Sequence, residues 1–165
     1  MGEKLTQADI EKIEKEIEYR KTVERPKLTA AVAEAAAQGD RSENFEYYAA
    51  KRANNQNNSR INYLERMIRF AEVIEDEAAL DEVGLNKLVE IQFDDEPETE
   101  TYKVVTPIRG QSLEGRISIE SPMGKSLLGH RAGDRVLIQV NETNSYYVTI
   151  KSVVPDDADD DIRSI

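Results

Sequence analysis

Gly39-Asp40-Arg41-Ser42-Glu43-Asn44-Phe45-Glu46-Tyr47 separates two long helical patterns in the first half of this 165-residue chain. Gly39 suits the residue after a helix, where a left-handed backbone is needed and only glycine adopts it without a Cβ penalty. Asp40 and Glu43 stand three apart, the spacing of a capping box, and their charges suit the positive end of a following helix. The spacing predicts one helix over about 6–38, a tight turn, and a second helix over about 41–75. Folded back on each other, the two make an antiparallel helical hairpin with its carboxylates at the tip. Helices of some 33 residues at ~1.5 Å per residue give a rod of roughly 50 Å, long enough to reach deep into a partner.

The first helix shows apolar spacings of three and four at Ile10, Ile13 and Ile17, and Leu28, Ala31, Val32 and Ala35 continue the stripe. Pro26 lies inside this pattern and predicts a kink, because its ring removes one amide and crowds the preceding turn. In the second helix, Ile61, Leu64, Ile68 and Ala71 form a seam. Carried back one heptad, the seam falls on Asn54 and Asn57, so the hairpin should pack least well midway along this helix.

From Leu88 the hydrophobic period changes from helical to alternating. Strand candidates are Leu88–Phe93, Thr101–Val105, Arg116–Ile119, Val136–Val140 and Tyr146–Ile150, and together they predict a small antiparallel sheet. Ser121-Pro122 followed by apolar residues and a closing Gly129 predicts a short capped helix. Asp156–Asp161 carries five Asp and reads as a disordered acidic tail. The expected organisation is therefore α+β: a coiled-coil hairpin over 1–77, a sheet domain over 78–155, and the tail over 156–165.

Composition excludes several classes of function. There is no cysteine and only one histidine, His130, so neither thiolate chemistry nor a multi-histidine metal site is available. No apolar run approaches the ~18 residues of a membrane span, and a cytoplasmic location is expected. The net charge is −11; residues 1–77 hold 13 Lys+Arg against 16 Asp+Glu, and residues 78–165 hold 9 against 17. Such a chain is a poor candidate for direct duplex-DNA binding, which needs a basic face. No phosphate-binding glycine loop, zinc motif or nucleophile-base set is present.

Asp40 and Glu43 thus have two readings. They cap a helix, or they hold a divalent cation as hard oxygen ligands; two carboxylates are too few for a tight Mg²⁺ cage, so a partner would have to complete it. Phe45 and Tyr47 either staple the two helices or form a contact surface with Asn44 and Glu46. Lys51, Arg52, Arg60, Arg66 and Arg69 outnumber the one acid in 51–69. They make a solvated face, or they meet RNA or an acidic channel wall.

The stretch Ala33–Lys51 resembles the tip signature of the bacterial Gre transcript-cleavage factors. Arg60–Ile74 resembles their second helix, and Ser121–Gly129 with Gly133-Asp134 resembles the signature of their C-terminal domain. The resemblance implies an antiparallel coiled coil followed by an FKBP-like domain. It implies a monomer that docks on bacterial RNA polymerase, pushes the coiled coil into the secondary channel, and stimulates the polymerase to cleave the 3′ end of backtracked nascent RNA. Asp40 and Glu43 match the family's acidic pair, which would share a Mg²⁺ ion of the polymerase active site; no cofactor is expected on the chain alone. Arg41, Asn44, Glu46, Lys51 and Arg52 become the expected contacts to RNA or polymerase. Ser121, Pro122 and Met123, read as an exposed loop, become the expected docking contact.

Arg41 stands where the family usually has an apolar residue, and a positive charge between two acids can weaken metal binding or take up a phosphate. It keeps open a second reading, a channel occupant that regulates or inhibits polymerase without promoting cleavage. A prolyl isomerase reading lacks support, because residues 88–154 contain only Phe93, Tyr102, Tyr146 and Tyr147 as aromatics to line a pocket.

Overall fold

The computed structural model describes residues 2–38 and 44–164. It divides into two compact units, one built on Gln7–Glu72 and the other on Glu3–Thr6 together with Val73–Ser164. Within the second unit a short strand β1 (Lys4–Leu5) opens the chain.

In the first unit, helix α1 (Gln7–Tyr19) runs into a π-helical turn over Arg20–Glu24 and then into α2 (Arg25–Ala36). The kink expected at Pro26 takes this form. The Arg25 amide donates to the Arg20 carbonyl, one residue further back than in an α-helix, and Pro26 falls in the first turn of α2, where a missing amide costs little. Helix α3 (Phe45–Arg69) packs against α1 and α2. Pairs between the arms run in opposite directions, from Glu16 with Arg60, through Arg20 with Asn57, to Ala35 with Asn44, so the hairpin is antiparallel.

Ile13, Ile61 and Leu64 are fully buried between the arms, as the seam predicts. Midway, the packing becomes polar. Glu16 accepts from Arg20 Nε at 2.7 Å and from Arg60 Nε at 2.9 Å. Arg20 Nη1 donates to Asn57 Oδ1 at 2.9 Å, and Asn57 Nδ2 returns a bond to the Arg20 carbonyl at 3.2 Å. Two buried atoms here, Arg60 Nη1 and Asn54 Oδ1, have no hydrogen-bond partner. Burial pushes the Glu16 carboxyl up, but the bonds and charges of Arg60 and Arg20 outweigh it and hold the group below its ordinary value.

Helix α3 is shorter than the sequence pattern suggests. It starts at Phe45, because Asn44 is extended (φ −92°, ψ 90°) and caps it, the Asn44 side chain accepting from the Tyr47 amide at 3.0 Å. It stops at Arg69, before the short strand β2 (Glu72–Val73). Its 25 residues span about 38 Å at the helical rise, not the roughly 50 Å expected.

The second unit is a five-stranded sheet of β3 (Lys87–Phe93), β4 (Thr99–Val105), β5 (Arg116–Ser118), β6 (Arg135–Gln139) and β7 (Ser145–Pro155), in the order β5-β4-β3-β7-β6. The pairs β3/β4, β3/β7 and β6/β7 are antiparallel, while β4/β5 is parallel, which makes the sheet mixed. The parallel pair arises because the chain between Val105 and Arg116 loops back through two 3₁₀ turns before re-entering in the same direction. Helix α4 (Pro122–Leu127) covers one face, capped by Ser121, with Gly129 beyond its end in the left-handed region at φ +87°. Val89, Ile91, Val104, Leu127, Ile138, Val148 and Ile150 form the core.

The acidic segment after Pro155, expected as a disordered tail, lies beside cations of the sheet unit. Asp156, Asp159, Asp160 and Asp161 lie within salt-bridge distance of Lys103, Arg109 and Arg116, and the Arg163 amide donates to the Ile108 carbonyl at 2.7 Å. Composition predicts a solvated tail; Lys103 and Arg116 on the sheet, with Arg109 from the connection between their strands, supply counter-charges that composition does not reveal.

Candidate functional site

The end of the hairpin remote from residue 7 is built by the last turn of α2 and the first turns of α3. The Asn44 side chain clasps the two arms. Its Nδ2 donates to the Ala35 carbonyl at 2.6 Å while its Oδ1 caps α3. Ala35 is buried, and its small side chain allows this close approach. Asn44 was expected as a contact to RNA or polymerase; its polar atoms are instead committed to the fold. Helix α3 takes Asn44 as its N-cap, four residues beyond Asp40. Asp40, Arg41 and Glu43 themselves, the expected acidic pair and the cation between them, lie outside the described residues.

Beyond Asn44, α3 presents its first turns to solvent. Phe45 is 87% exposed, so it staples nothing, whereas Tyr47 and Tyr48 stack edge to face with ring centroids 5.3 Å apart. Glu46 is exposed in the first turn, where the helix dipole favours an acid, and lines a groove of about 260 Å³ with Ala31, Glu34, Ala35, Gln38 and Ala50. Lys51 lies over the Tyr47 ring at 5.9 Å, and Arg52 is exposed. The exposed members of the expected contact set are therefore Glu46, Lys51 and Arg52. Phe45 joins them on exposure, a position whose aromatic character was visible in the sequence but whose orientation was not. Arg60, counted with the solvated face, is buried in the polar layer and pairs with Glu16.

In the second unit, Ser121 Oγ donates to the Ser118 carbonyl at 2.6 Å and accepts from the Gly124 amide at 3.1 Å, so it serves as a cap. Pro122 is exposed. Met123, expected as an exposed apolar contact, packs against the hydrophobic core, because residue N2 of a short helix lying on the sheet faces inward. Of the three expected docking residues, only Pro122 presents its side chain freely.

Among the described residues no group of three or more His, Cys, Asp or Glu is placed to hold a metal ion, and no helix is long and apolar enough to cross a membrane.

Residues 3–73 match the family described as transcription elongation factor, N-terminal, and residues 77–155 match the C-terminal domain of the transcription elongation factors GreA/GreB. The transcription elongation factor GreA of Streptococcus gordonii is 40% identical over 150 residues, which cover 90% of this chain and 93% of that one. GreA of a Chelativorans species is 41% identical over 138 residues, covering 83% and 87%. A solved structure, GreA factor homolog 1 (Gfh1) of Thermus thermophilus, is 27% identical and covers 93% of this chain and 99% of its own, with a TM-score of 0.43. With both units matched in order across nearly its whole length, the chain belongs to the GreA/GreB family of transcription elongation factors.

Proposed function

We propose that this elongation factor works inside RNA polymerase, entering the secondary channel with the hairpin and stimulating hydrolysis of the 3′ end of backtracked nascent RNA. The observation that carries the reading is the state of α3. Asn44 caps it, its side chain accepting from the Tyr47 amide, and exposed Phe45, Glu46, Lys51 and Arg52 follow on its first turns. The family membership of both units supports the same reading.

Two-metal phosphodiester hydrolysis uses one ion to activate water and another to stabilise the leaving oxygen, and the polymerase supplies the ions. Asp40 and Glu43 donate carboxylate oxygens that raise the occupancy of a weakly held Mg²⁺ and orient the attacking water. Asn44 positions them indirectly, by tying the start of α3 to the Ala35 carbonyl. Exposed Lys51 and Arg52, with Arg41, offer positive charge to the RNA phosphates, and Glu46 and Phe45 contact the channel wall. Pro122 belongs to the docking contact of the second unit. The protein acts as a monomer in the cytoplasm, as a donor of ligands to the polymerase's own active site.

The test is a halted, backtracked elongation complex with labelled RNA. Adding the protein releases short 3′ fragments in a Mg²⁺-dependent manner. Stable binding to the complex without release at any Mg²⁺ concentration would replace this reading with that of a channel-occupying regulator.

A further inference from the structure

The second unit carries a cluster of cations, Lys103, Arg109 and Arg116. Lys103 on β4 and Arg116 on β5 are direct partners in the parallel register of those strands. Like charges placed opposite each other on neighbouring strands repel and destabilise the pair unless an anion sits between them. Arg109, from the connection between the strands, converges on the same place. Side-chain exposure is only 4% for Lys103, 9% for Arg109 and 11% for Arg116. The anion supplied is the chain's own. Asp160 Oδ2 lies 2.5 Å from Lys103 Nζ, and its Oδ1 lies 3.8 Å from Arg116 Nη1. Its carbonyl accepts from Arg109 Nη1 at 2.8 Å.

We propose that Lys103, Arg109 and Arg116 form an oxyanion site for phosphate groups, with Asp160 as a built-in occupant that a phosphate-bearing ligand displaces. Asp160 meets all three cations, its carboxylate Lys103 and Arg116 and its carbonyl Arg109, while Asp156, Asp159 and Asp161 each add a carboxylate. Two guanidinium groups and an ammonium gathered this closely also match the tetrahedral oxygens and higher charge of a phosphate. A purely structural cover would be at least as stable if apolar, because buried ion pairs seldom outperform well-packed hydrophobic residues. The segment bearing Asp160 is held mainly by polar and ionic contacts of the kind a competing anion can replace. Asp159 and Asp161 keep 74% and 78% of their side-chain surface exposed. Its backbone is tied to neighbouring backbone at the two ends, where the Asp156 amide donates to the Asn86 carbonyl at 2.8 Å and the Arg163 amide to the Ile108 carbonyl, and between them the Ala158 and Asp160 carbonyls accept from Lys103 and Arg109. Displacement peels the nine-residue segment 156–164 and exchanges its carboxylates at the three cations for the ligand's phosphate oxygens.

Inorganic tripolyphosphate and a single-stranded oligoribonucleotide serve as probes, titrated separately at low salt into the full chain and into Asp160→Asn. Saturable binding is expected, about tenfold tighter in Asp160→Asn, because a closed state occupied by an internal competitor weakens apparent affinity. Adding Arg116→Gln to that variant should remove the binding. In the parent chain, either ligand should accelerate hydrogen exchange at the Asp156 and Arg163 amides, a readout that stands even if Asp160→Asn fails to fold. Response to tripolyphosphate alone identifies free phosphates as the ligand, and response to the oligoribonucleotide alone identifies a nucleic-acid backbone. The proposal is overturned if affinity is the same with and without Arg116, or if neither probe at saturation alters exchange at those two amides.

Discussion

Replacing Glu16 with Ala strikes the polar layer of the hairpin at its centre. The carboxylate accepts from Arg20 Nε, Arg60 Nε and, at 3.3 Å, Arg60 Nη2. Arg60 is 8% exposed and already has one buried nitrogen without a partner, so Glu16→Ala leaves its guanidinium buried and unpaired. Removing one member of a fully buried pair costs about 3–5 kcal/mol. The Glu16 side chain is 24% exposed and water reaches it. The expected loss is therefore about 2–3 kcal/mol. For a unit of this size that corresponds to a fall of roughly 10–20 °C in Tm. The assay is thermal and urea unfolding followed by the far-ultraviolet helical signal. A double-mutant cycle with Arg60→Ala should give a coupling of at least ~1 kcal/mol. Replacing Glu16, Arg20 and Arg60 together by Leu should restore most of the loss, since an apolar layer strands no charge. A loss below ~0.5 kcal/mol for Glu16→Ala would refute the view that this layer holds the arms together.

Other outcomes follow from the same contacts. The Glu16 carboxyl is depressed below its ordinary value of 4.5, so its contribution is fully present above pH 4.5 and is lost as pH falls through the folded value; acid unfolding of the helical unit should flatten in Glu16→Gln. Asn44→Ala removes a cap and the clasp to Ala35, costing about 1–2 kcal/mol and weakening transcript cleavage more than polymerase binding, as fragment release and complex co-sedimentation would report. Gly124→Ala would set a Cβ 1.9 Å from the Ser118 carbonyl oxygen, backbone that cannot yield cheaply, and should destabilise the sheet unit by about 3 kcal/mol in urea unfolding.

Where the sequence was legible, local chemistry decided the structure. Ile61 and Leu64 read as a seam and are buried; Asn57, placed on that seam by extrapolation, is buried too, and its amide is satisfied by Arg20. Ser121-Pro122 and Gly129 read as the ends of a short helix because capping depends on neighbours in sequence. Where readings missed, a competing residue or a distant partner was responsible. Asp40 and Asn44 are both good caps, and the helix starts at the second. Pro26 signals disruption of a helix but not how the hydrogen bonds rearrange, and here they rearrange into a π turn. Asp160 finds Lys103 across 57 residues, a pairing that no local pattern encodes. The direction of β5 was hidden for the same reason, since strand order is a property of the whole sheet.

The site was legible in part. Residue type and spacing drew attention to the turn between the arms, and family membership gave it a purpose. Which side chains face outward did not follow, since Asn44 and Met123 turn toward the fold while Phe45 turns away from it.

The central claim is that Asp40 and Glu43 act on the polymerase's chemistry rather than on the fold of this chain. The direct measurement compares parent, Asp40→Ala and Glu43→Ala on one halted, backtracked complex, recording both fragment release and binding, together with helical content and Tm. Each variant should bind within about threefold of the parent and unfold within about 0.5 kcal/mol of it, as the claim requires of residues that serve the reaction and not the fold. Cleavage should fall by a factor of at least ~10². Variants that cleave like the parent, or that lose cleavage only in proportion to lost binding or lost helix, would contradict the account.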